Sequence, residues 1–243
     1  MPYRRLPNTD SARLKAMEIA LKKSDNIPPF ELVFSVATYQ KLRFFYPEFK
    51  QVVEQYKETL ERQVKQSKKH KDKFKKARTY ISHFIQVLDF SIVRGELPID
   101  TREVFKLDTD NIKLPQLNTD DDVIEWGNNI IKGEEERLMN GLTPIANPNI
   151  ARVKVHFEDY LRIHKNQMYL QDAHNNVHDK LLILRKTADD IILALWDEIE
   201  NHYSYLPSDE KRDIAKKLGV VYVNRKNEKI DFNNLNTENY SYL

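Results

Sequence analysis

The sequence has no cysteine and only 5 glycines among its 243 residues. Without cysteine the chain forms no disulfide, thiol nucleophile, iron–sulfur cluster or cysteine-based zinc site. The glycine content is about a third of the usual share of roughly 7%. Because glycine is the default residue of tight turns, this scarcity favours long helices over many short strands.

Several catalytic and nucleotide-binding motifs are also absent. Gly127 and Gly133 are the closest useful glycine pair, and they form neither a P-loop nor a Rossmann fingerprint. The chain lacks the G-x-S-x-G and H-E-x-x-H motifs. None of its 7 histidines follows a glutamate by three positions, as di-iron helical bundles require. These absences exclude the corresponding enzyme classes.

Long hydrophobic runs are missing as well. No apolar run approaches the ~20 residues that cross a bilayer. The basic N-terminal segment is not followed by the apolar region of a secretory signal. We therefore expect no membrane association and, for lack of any address signal, a cytoplasmic location.

What remains is an amphipathic and strongly charged chain. Hydrophobic residues make up 40% and charged residues 31%, with 39 basic against 37 acidic side chains and a net charge of +2. Apolar residues recur every three or four positions, which predicts an all-α fold. We expect a single domain over 1–232, with an antiparallel four-helix-bundle-like core and extra short helices. A small C-terminal β-hairpin (220–223 with 229–232) and a flexible tail over 233–243 complete the prediction.

Capping residues predict where the helices of the first half begin and end. Thr9 stands before an acidic residue and an apolar face, which is typical of an N-cap. A second helix is predicted over 30–45, and Pro47 is placed to start a third. We expect a polar break over 67–71, after which a central helix continues until Gly95 stops it.

The second half repeats this layout. Thr119 is followed by three aspartates and predicts a helix start. Pro148 should start the longest helix, which we expect to run unbroken over 153–184, and Thr187 should cap a further one. A short helix is predicted over 208–218. Since each half has a Thr-capped helix, a Pro-started helix and a closing Leu-Pro, one interpretation is a duplication. The duplicated halves would be 9–98 and 119–207; the alternative is that the similarity is one of pattern only.

Four stretches resemble a known family. They are PYRRLPNTDSAR at 2–13, YISHF at 80–84, EWG at 125–127 and GVVY at 219–222. Together they resemble an uncharacterised family of bacterial helical hypothetical proteins that opens with PYRRLPxTDxAR. The resemblance implies a bacterial origin and a helical, single-domain fold. That family has no assigned activity, ligand or catalytic residue, so the resemblance implies no function.

The most distinctive surface feature is the basic segment 62–78. Together with Glu61 it holds nine Lys or Arg against two acidic residues, a charge of +7 over 18 positions. Such a density of positive charge is typical of surfaces that bind a phosphate backbone. Lysine also favours the C-terminal end of a helix and its turn, so a solvated turn is the alternative. The predicted polyanion-binding residues are Lys65, Lys68, Lys69, Lys71, Lys73, Lys75, Lys76 and Arg78.

The expected position of this segment is a hairpin tip. We predict that 68–76 lies at the exposed end of the bundle, with Phe74 turned inward. Phe74 is the lone aromatic of the segment, so no stacking platform for bases is visible. Because the overall charge is only +2, binding should be weak, independent of sequence and sensitive to salt.

His174 and His178 are the metal-ligand candidates. A spacing of four places both on one helix face, and Asp172 or His164 would add a third ligand. The pair flanks the apolar seam of its helix, however, which is more typical of a solvated surface. With no third ligand at a convincing spacing, the sequence predicts no cofactor and no bound transition metal.

Other titratable groups have structural interpretations. His83 lies within the richest apolar stripe, so we expect it to be buried and hydrogen-bonded. The acidic clusters 120–122 and 134–136 suit the start and the solvated face of a helix. The alternative for these clusters is a site for a cation or a partner.

The function predicted from these features is not enzymatic. In the absence of a catalytic constellation, we expect an interaction or scaffold protein of helical-bundle type, whose partner is a protein or a second copy of the chain. The alternative is a weak nucleic-acid or polyanion binder that acts through 62–78. A metal-dependent enzyme built on His174 and His178 is the third hypothesis.

Overall fold

The computed structural model describes residues 2–25 and 27–224. Helices dominate this part of the chain, and two short strands accompany them. The all-α class with a small two-stranded β element is therefore confirmed. In chain order the elements are β1 (Tyr3–Arg4), α1 (Asp10–Ser24), a 3₁₀ helix (Pro29–Glu31), α2 (Val36–Val93), α3 (Thr101–Val104), α4 (Asp120–Met139), α5 (Ile150–His202), α6 (Ser208–Lys217) and β2 (Tyr222–Val223).

The two strands join the N-terminal arm to the segment after α6. β1 and β2 are antiparallel, with Tyr3 opposite Val223 and Arg4 opposite Tyr222. The expected partner strand 229–232 and the expected tail 233–243 lie outside the described residues. Within the described residues, the predicted strand at 220–223 therefore contributes Tyr222 and Val223, which pair with the basic N-terminal segment instead.

The chain forms two compact units. The terminal unit comprises Met1–Tyr56 and Val177–Leu243, and the central unit comprises Lys57–Asn176. Helices α2 and α5 each contribute residues to both units. The duplication of 9–98 and 119–207 stays a prediction, and each unit contains residues from both of these halves.

The core of the terminal unit consists of apolar residues from α1, α2, α5 and α6, together with Phe34 and Val220 from the adjoining segments. Its largest fully buried side chain is that of Trp196. Ion pairs tie α1 to α5 at the edge of this core. The Arg13 guanidinium donates to both carboxylate oxygens of Asp189 at 2.8 and 2.9 Å, and Arg185 does the same with Asp10 at 2.8 and 2.7 Å.

The core of the central unit is built by α2, α4 and α5 together with residues of the connecting segments, Phe105, Leu107, Leu117 and Ile145. The rings of Phe84 and Phe105 meet edge to face at 5.7 Å between centroids. Helices α4 and α5 approach closely at Gly127, where an added Cβ atom would lie 2.3 Å from the ring of Phe157. Only a residue without a side chain allows this approach.

Buried charged side chains hold the irregular segments of the central unit. Arg102 is fully buried, pairs with Asp89 and donates from Nε to the carbonyl oxygen of Asp108 at 2.7 Å. Glu134 accepts from Arg137 at 2.6 Å and from the backbone N–H of Ile145 at 2.7 Å. These contacts provide partners for backbone groups that no helix or strand satisfies.

Helix α2 is continuous where the sequence predicted a boundary. It runs from Val36 to Val93 with Pro47 inside it, so the prediction that Pro47 starts a helix is wrong. A proline in a helix interior typically costs about 3 kcal/mol. Leu42 and Phe49 are fully buried on either side of Pro47. Burial of these neighbours stabilises the helical conformation through the proline.

The predicted polar break over 67–71 is also wrong, because α2 passes through it. The polar side chains near this segment contact α5 of the same unit. Gln66 is buried and donates to the carbonyl oxygen of Ile163 at 3.3 Å, and Ser67 accepts from Gln167 at 3.1 Å. These contacts keep a polar stretch of α2 against its neighbour, so the basic segment is no hairpin tip.

Helix α5 confirms one prediction and corrects another. No residue over 153–184 breaks it, as expected. Thr187 does not cap a further helix, because α5 continues to His202. The Thr187 hydroxyl donates to the carbonyl oxygen of Ile183 at 3.4 Å, which is how threonine is accommodated inside a helix.

Two further helix starts differ from the prediction. The second helix does not begin at 30 but at Val36. The longest helix is α2 (58 residues) rather than α5 (53 residues), which begins at Ile150 and not at Pro148.

Three other predicted helix ends are confirmed. The Thr9 side chain accepts from the backbone N–H of Ala12 at 3.2 Å and caps α1. Thr119 and Asp122 form a reciprocal capping box at the start of α4. Gly95 has a φ of +74° directly after α2, a conformation that glycine adopts without strain.

Candidate functional sites

The basic segment 62–78 lies in the middle of α2, within the central unit. Five of its lysines occupy one exposed face and are called the lysine stripe. They are Lys65, Lys68, Lys69, Lys75 and Lys76. Counted from Lys65, the other four lie three, four, ten and eleven positions further along, which places all five on one helix face. Gln66, Phe74 and Ala77 point toward the core on the other side of the helix.

Ion pairing distinguishes the stripe from its neighbours. Arg62 lies 3.5 Å from Glu58, and the half-buried Lys73 pairs with Asp159. Within residues 2–25 and 27–224, no lysine of the stripe has an acidic oxygen within 4.0 Å. The stripe therefore keeps its charge available to a partner.

The remaining predicted polyanion-binding residues lie away from the stripe. Lys71 and Arg78 are exposed on the flank of α2, and Arg78 donates to the side chain of Asn118 at 3.4 Å. Phe74 is turned inward as predicted, and its ring meets that of Tyr160 edge to face at 6.0 Å. The exposed face of the segment is therefore basic without an aromatic side chain.

The predicted metal candidates His174 and His178 have other neighbours. His174 Nδ1 lies 3.2 Å from the hydroxyl of Thr59, in the central unit. The His178 ring lies 5.8 Å from the ring of Tyr56, in the terminal unit. Among the described residues, neither histidine belongs to a group of three potential ligands.

A different set of three side chains converges in the central unit. His70 of α2, Asp120 of α4 and His164 of α5 each offer a ligand atom within 4.8 Å of the others. His70 Nε2 lies 3.0 Å from Asp120 Oδ1 and 3.2 Å from His164 Nδ1. The distance from His164 Nδ1 to Asp120 Oδ1 is 3.7 Å. We call these residues the His–Asp–His cluster.

Tyr160 supports the cluster from the side of the core. Its hydroxyl donates to Asp120 Oδ1 at 2.8 Å, and its ring is fully buried. Burial raises the pKa of Tyr160 far above its ordinary value, and the hydrogen bond to the Asp120 carboxylate raises it further. The hydroxyl therefore keeps its proton and stays a donor, which holds the carboxylate in place.

Sequence reasoning missed this cluster because its members are far apart in the chain. The sequence suggests His164 only as a partner of His174 and His178, and Asp120 as a charge at a helix start or as part of an acidic cluster that binds a cation or a partner. His70 lies in the basic segment, where nothing indicates a ligand. No spacing in the sequence links three side chains that come from three helices.

The other titratable groups have structural roles or none. His83 is exposed, so the prediction that it is buried is wrong. Asp122 accepts backbone N–H bonds from Thr119 and Asn118, both at 2.9 Å, and these bonds lower its pKa. Glu135 accepts from Lys154 at 3.1 Å. Asp122 thus serves helix capping at the predicted helix start, and Glu135 forms an ion pair. The prediction of a solvated face over 134–136 is wrong at Glu134, which is fully buried.

Comparisons with known proteins add no functional assignment. No protein-family model matches the chain, and neither a curated protein nor a solved structure matches it. The resemblance to a bacterial helical family stays a prediction. In the described residues, no helix combines the length and the apolar character that a bilayer crossing requires.

Proposed function

We propose that this protein is a non-enzymatic interaction protein that binds polyanions, and nucleic acid in particular, through the lysine stripe of α2. The observation that supports this function is a row of five exposed ammonium groups on one face of a regular helix. At 1.5 Å per residue, the row from Lys65 to Lys76 extends over about 16 Å. A polymer of phosphates offers negative charges over a comparable distance.

The charge balance of the helix explains why this face is favoured. Carboxylates of the same unit pair with Arg62 and Lys73, whereas the stripe has no such partner among the described residues. Asp72 is exposed among the lysines and reduces the local charge of the stripe. Like charges this close repel one another, so a phosphate chain that lies along them relieves that repulsion.

The same geometry argues for binding without sequence preference. Base recognition needs hydrogen-bonding side chains in a groove or aromatic rings that stack on bases. The stripe consists of flexible lysines, and the lone aromatic ring, Phe74, packs against Tyr160 instead. The stripe can therefore contact only the phosphate backbone, and salt strongly weakens such contacts.

The test is a titration of a fluorescent DNA duplex with the full chain at several salt concentrations, followed by anisotropy. If each lysine of the stripe neutralises one phosphate, the slope of log K against log salt is about −4.5. A charge-reversal variant replaces the five stripe lysines with glutamate and should lose this binding. Exposed substitutions usually change stability by about 0.5 kcal/mol or less each, so circular dichroism should show a folded variant.

A matched control keeps the net charge equal. It reverses five exposed lysines elsewhere in the chain, namely Lys15, Lys23, Lys41, Lys186 and Lys217. This control should bind the duplex far more tightly than the stripe variant does. Equal loss in both variants would show that only net charge matters. If the stripe variant binds the duplex as tightly as the wild type does, the proposal is contradicted.

A further inference from the structure

We propose that His70, Asp120 and His164 bind a divalent transition-metal ion, and that zinc fits this set of ligands best. This inference rests on the His–Asp–His cluster and is independent of the lysine stripe. The three ligand atoms come from α2, α4 and α5, and all three pairs lie within 3.0 to 3.7 Å. Three helices of one unit thus direct two imidazoles and one carboxylate to a single point.

The distances agree with the coordination geometry of zinc. Zinc binds histidine nitrogen and carboxylate oxygen at about 2.0–2.2 Å and prefers a tetrahedron. Two ligands on the edge of such a tetrahedron are separated by about 3.3–3.6 Å. The observed separations of 3.0, 3.2 and 3.7 Å lie around this value. Small side-chain adjustments bring all three atoms onto one ion.

The chemistry of the ligands narrows the choice of ion. Calcium and magnesium prefer sites made entirely of oxygen, whereas this cluster offers two nitrogens and one oxygen. Imidazole suits zinc, copper, iron and nickel. With three protein ligands, the fourth position of a tetrahedron is open to water or to a small anion.

The surroundings of the cluster resemble the outer shell of a metal site. Carboxylates that bind metals are themselves hydrogen-bonded, and these outer partners tune affinity. Here the Tyr160 hydroxyl donates to Asp120 Oδ1 at 2.8 Å. Asp120 is also the first residue of α4, directly after the Thr119 cap, so the backbone that carries it is fixed.

The cluster is accessible to an ion from solvent. The exposed fractions of the side chains are 15% for His70, 22% for His164 and 38% for Asp120. Complete burial would require the structure to open for an ion to enter. Partial exposure allows exchange with solution while Tyr160 and the core support the site from the other side.

The alternative is a hydrogen-bonded network without metal. In that case one imidazole donates a proton to the other ring or to Asp120, and the cluster serves only to join the three helices. The two interpretations differ in a measurable way. A hydrogen-bonded network binds no ion, whereas a metal site binds one zinc ion per chain, and cobalt bound in its place absorbs visible light.

The test uses the full chain, stripped of metal with a chelator, in calorimetric titration with zinc chloride. We expect one zinc per chain, a rise in the melting temperature, and a visible absorption typical of tetrahedral coordination when cobalt replaces zinc. His70→Ala and His164→Ala should each weaken zinc binding by about 100-fold or more, and Tyr160→Phe by about 10-fold, since outer-shell partners contribute 10–100-fold.

Two variants control for folding and for nonspecific binding. Asp120→Asn keeps the size of the side chain and should still lose most of the zinc affinity. His83→Ala removes an exposed histidine of α2 outside the cluster and should bind zinc as the wild type does. The stripe variant should also retain zinc, which separates this inference from the proposed function. Absence of zinc binding in the wild type, or equal losses in His83→Ala and His70→Ala, would overturn the proposal.

Discussion

In the terminal unit the buried polar side chains among the described residues are uncharged, Ser24 and Thr38, whereas the central unit buries Arg102, Glu134 and Arg137. Both units carry ion pairs, but those of the terminal unit remain partly exposed. Arg13 and Asp189, for example, keep 11% and 34% of their side-chain surface. The units therefore use charge in different environments.

The difference follows from the connections between helices. The central unit contains irregular segments before and after α4, and their backbone groups need partners. Arg137 donates to the carbonyl oxygen of Thr143 at 3.2 Å, and Glu134 accepts from Ile145 N–H. In the terminal unit, Glu198 accepts from the N–H of Ser35 at 2.6 Å without being buried. Charged side chains are therefore buried where a connection between helices passes over the core.

The largest expected effect on stability comes from breaking a buried ion pair. Glu134→Ala leaves the Arg137 guanidinium buried without its carboxylate, which should cost about 3–5 kcal/mol of unfolding free energy. Asp189→Ala, the matched change in the terminal unit, should cost about 1 kcal/mol because its pair is partly exposed. Urea denaturation followed by circular dichroism measures both. Similar costs for the two variants would contradict the difference between the units.

The second largest effect on stability concerns a glycine inside a helix. Among the described helices, only one of the central unit contains glycine. Gly127→Ala places a Cβ atom 2.3 Å from the Phe157 ring. Forcing α4 and α5 apart should cost about 1–3 kcal/mol, as overpacking does. Asn128→Ala changes the exposed neighbour on the same helix and should stay within about 0.5 kcal/mol. A Gly127→Ala variant as stable as the wild type, by thermal unfolding, would show that the helices separate freely.

Matched caps give a smaller effect. Thr9 accepts one backbone bond at 3.2 Å, whereas Thr119 also takes part in a capping box with Asp122. Thr9→Ala should cost about 0.5–1 kcal/mol and Thr119→Ala about 1–2 kcal/mol. Chemical denaturation of the two single variants under one condition tests the order. The reverse order would mean that the capping box adds nothing.

The smallest effect depends on pH and belongs to the terminal unit. Burial raises the pKa of Tyr222, and its hydrogen bond of 2.5 Å to Glu200 raises it further. An unfolded tyrosine ionises near pH ~10, so this contribution to stability is complete below that pH and is lost as the pH rises above it.

Tyr222→Phe should therefore reduce the loss of stability between about pH 8 and pH 11, the interval that spans the ordinary tyrosine pKa. Unfolding free energies at the two pH values measure this. Tyr169→Phe, at a side chain that is 71% exposed, serves as the control and should follow the wild type. If the unfolding free energies of the wild type and Tyr222→Phe change with pH in the same way, Tyr222 does not cause the loss of stability at high pH.

Local chemistry in the sequence determined the fold class and several helix ends. Thr9, Thr119 and Gly95 act through hydrogen bonds or dihedral angles within a few residues of themselves, so the sequence suffices to predict them. The unbroken stretch 153–184 was predictable for the same reason, since its apolar spacing is continuous and contains no glycine or proline.

At other positions the tertiary structure, and not the local preference of the sequence for a helix boundary, determines the conformation. Pro47 and Thr187 are ordinary helix starters, yet both lie inside helices because the residues around them are buried in the core. The polar stretch 67–71 remains helical because its neighbours contact α5. A local preference of a few kcal/mol is smaller than the gain from burying several large side chains.

The two candidate sites also differ in how far the sequence predicts them. The basic residues of 62–78 were evident from composition, but only the helix showed which five form an exposed row. No signal in the sequence joins the members of the His–Asp–His cluster, because His70, Asp120 and His164 meet only after three helices pack. Spacing in a sequence describes neighbours on one helix, whereas a site shared by several helices depends on how they pack.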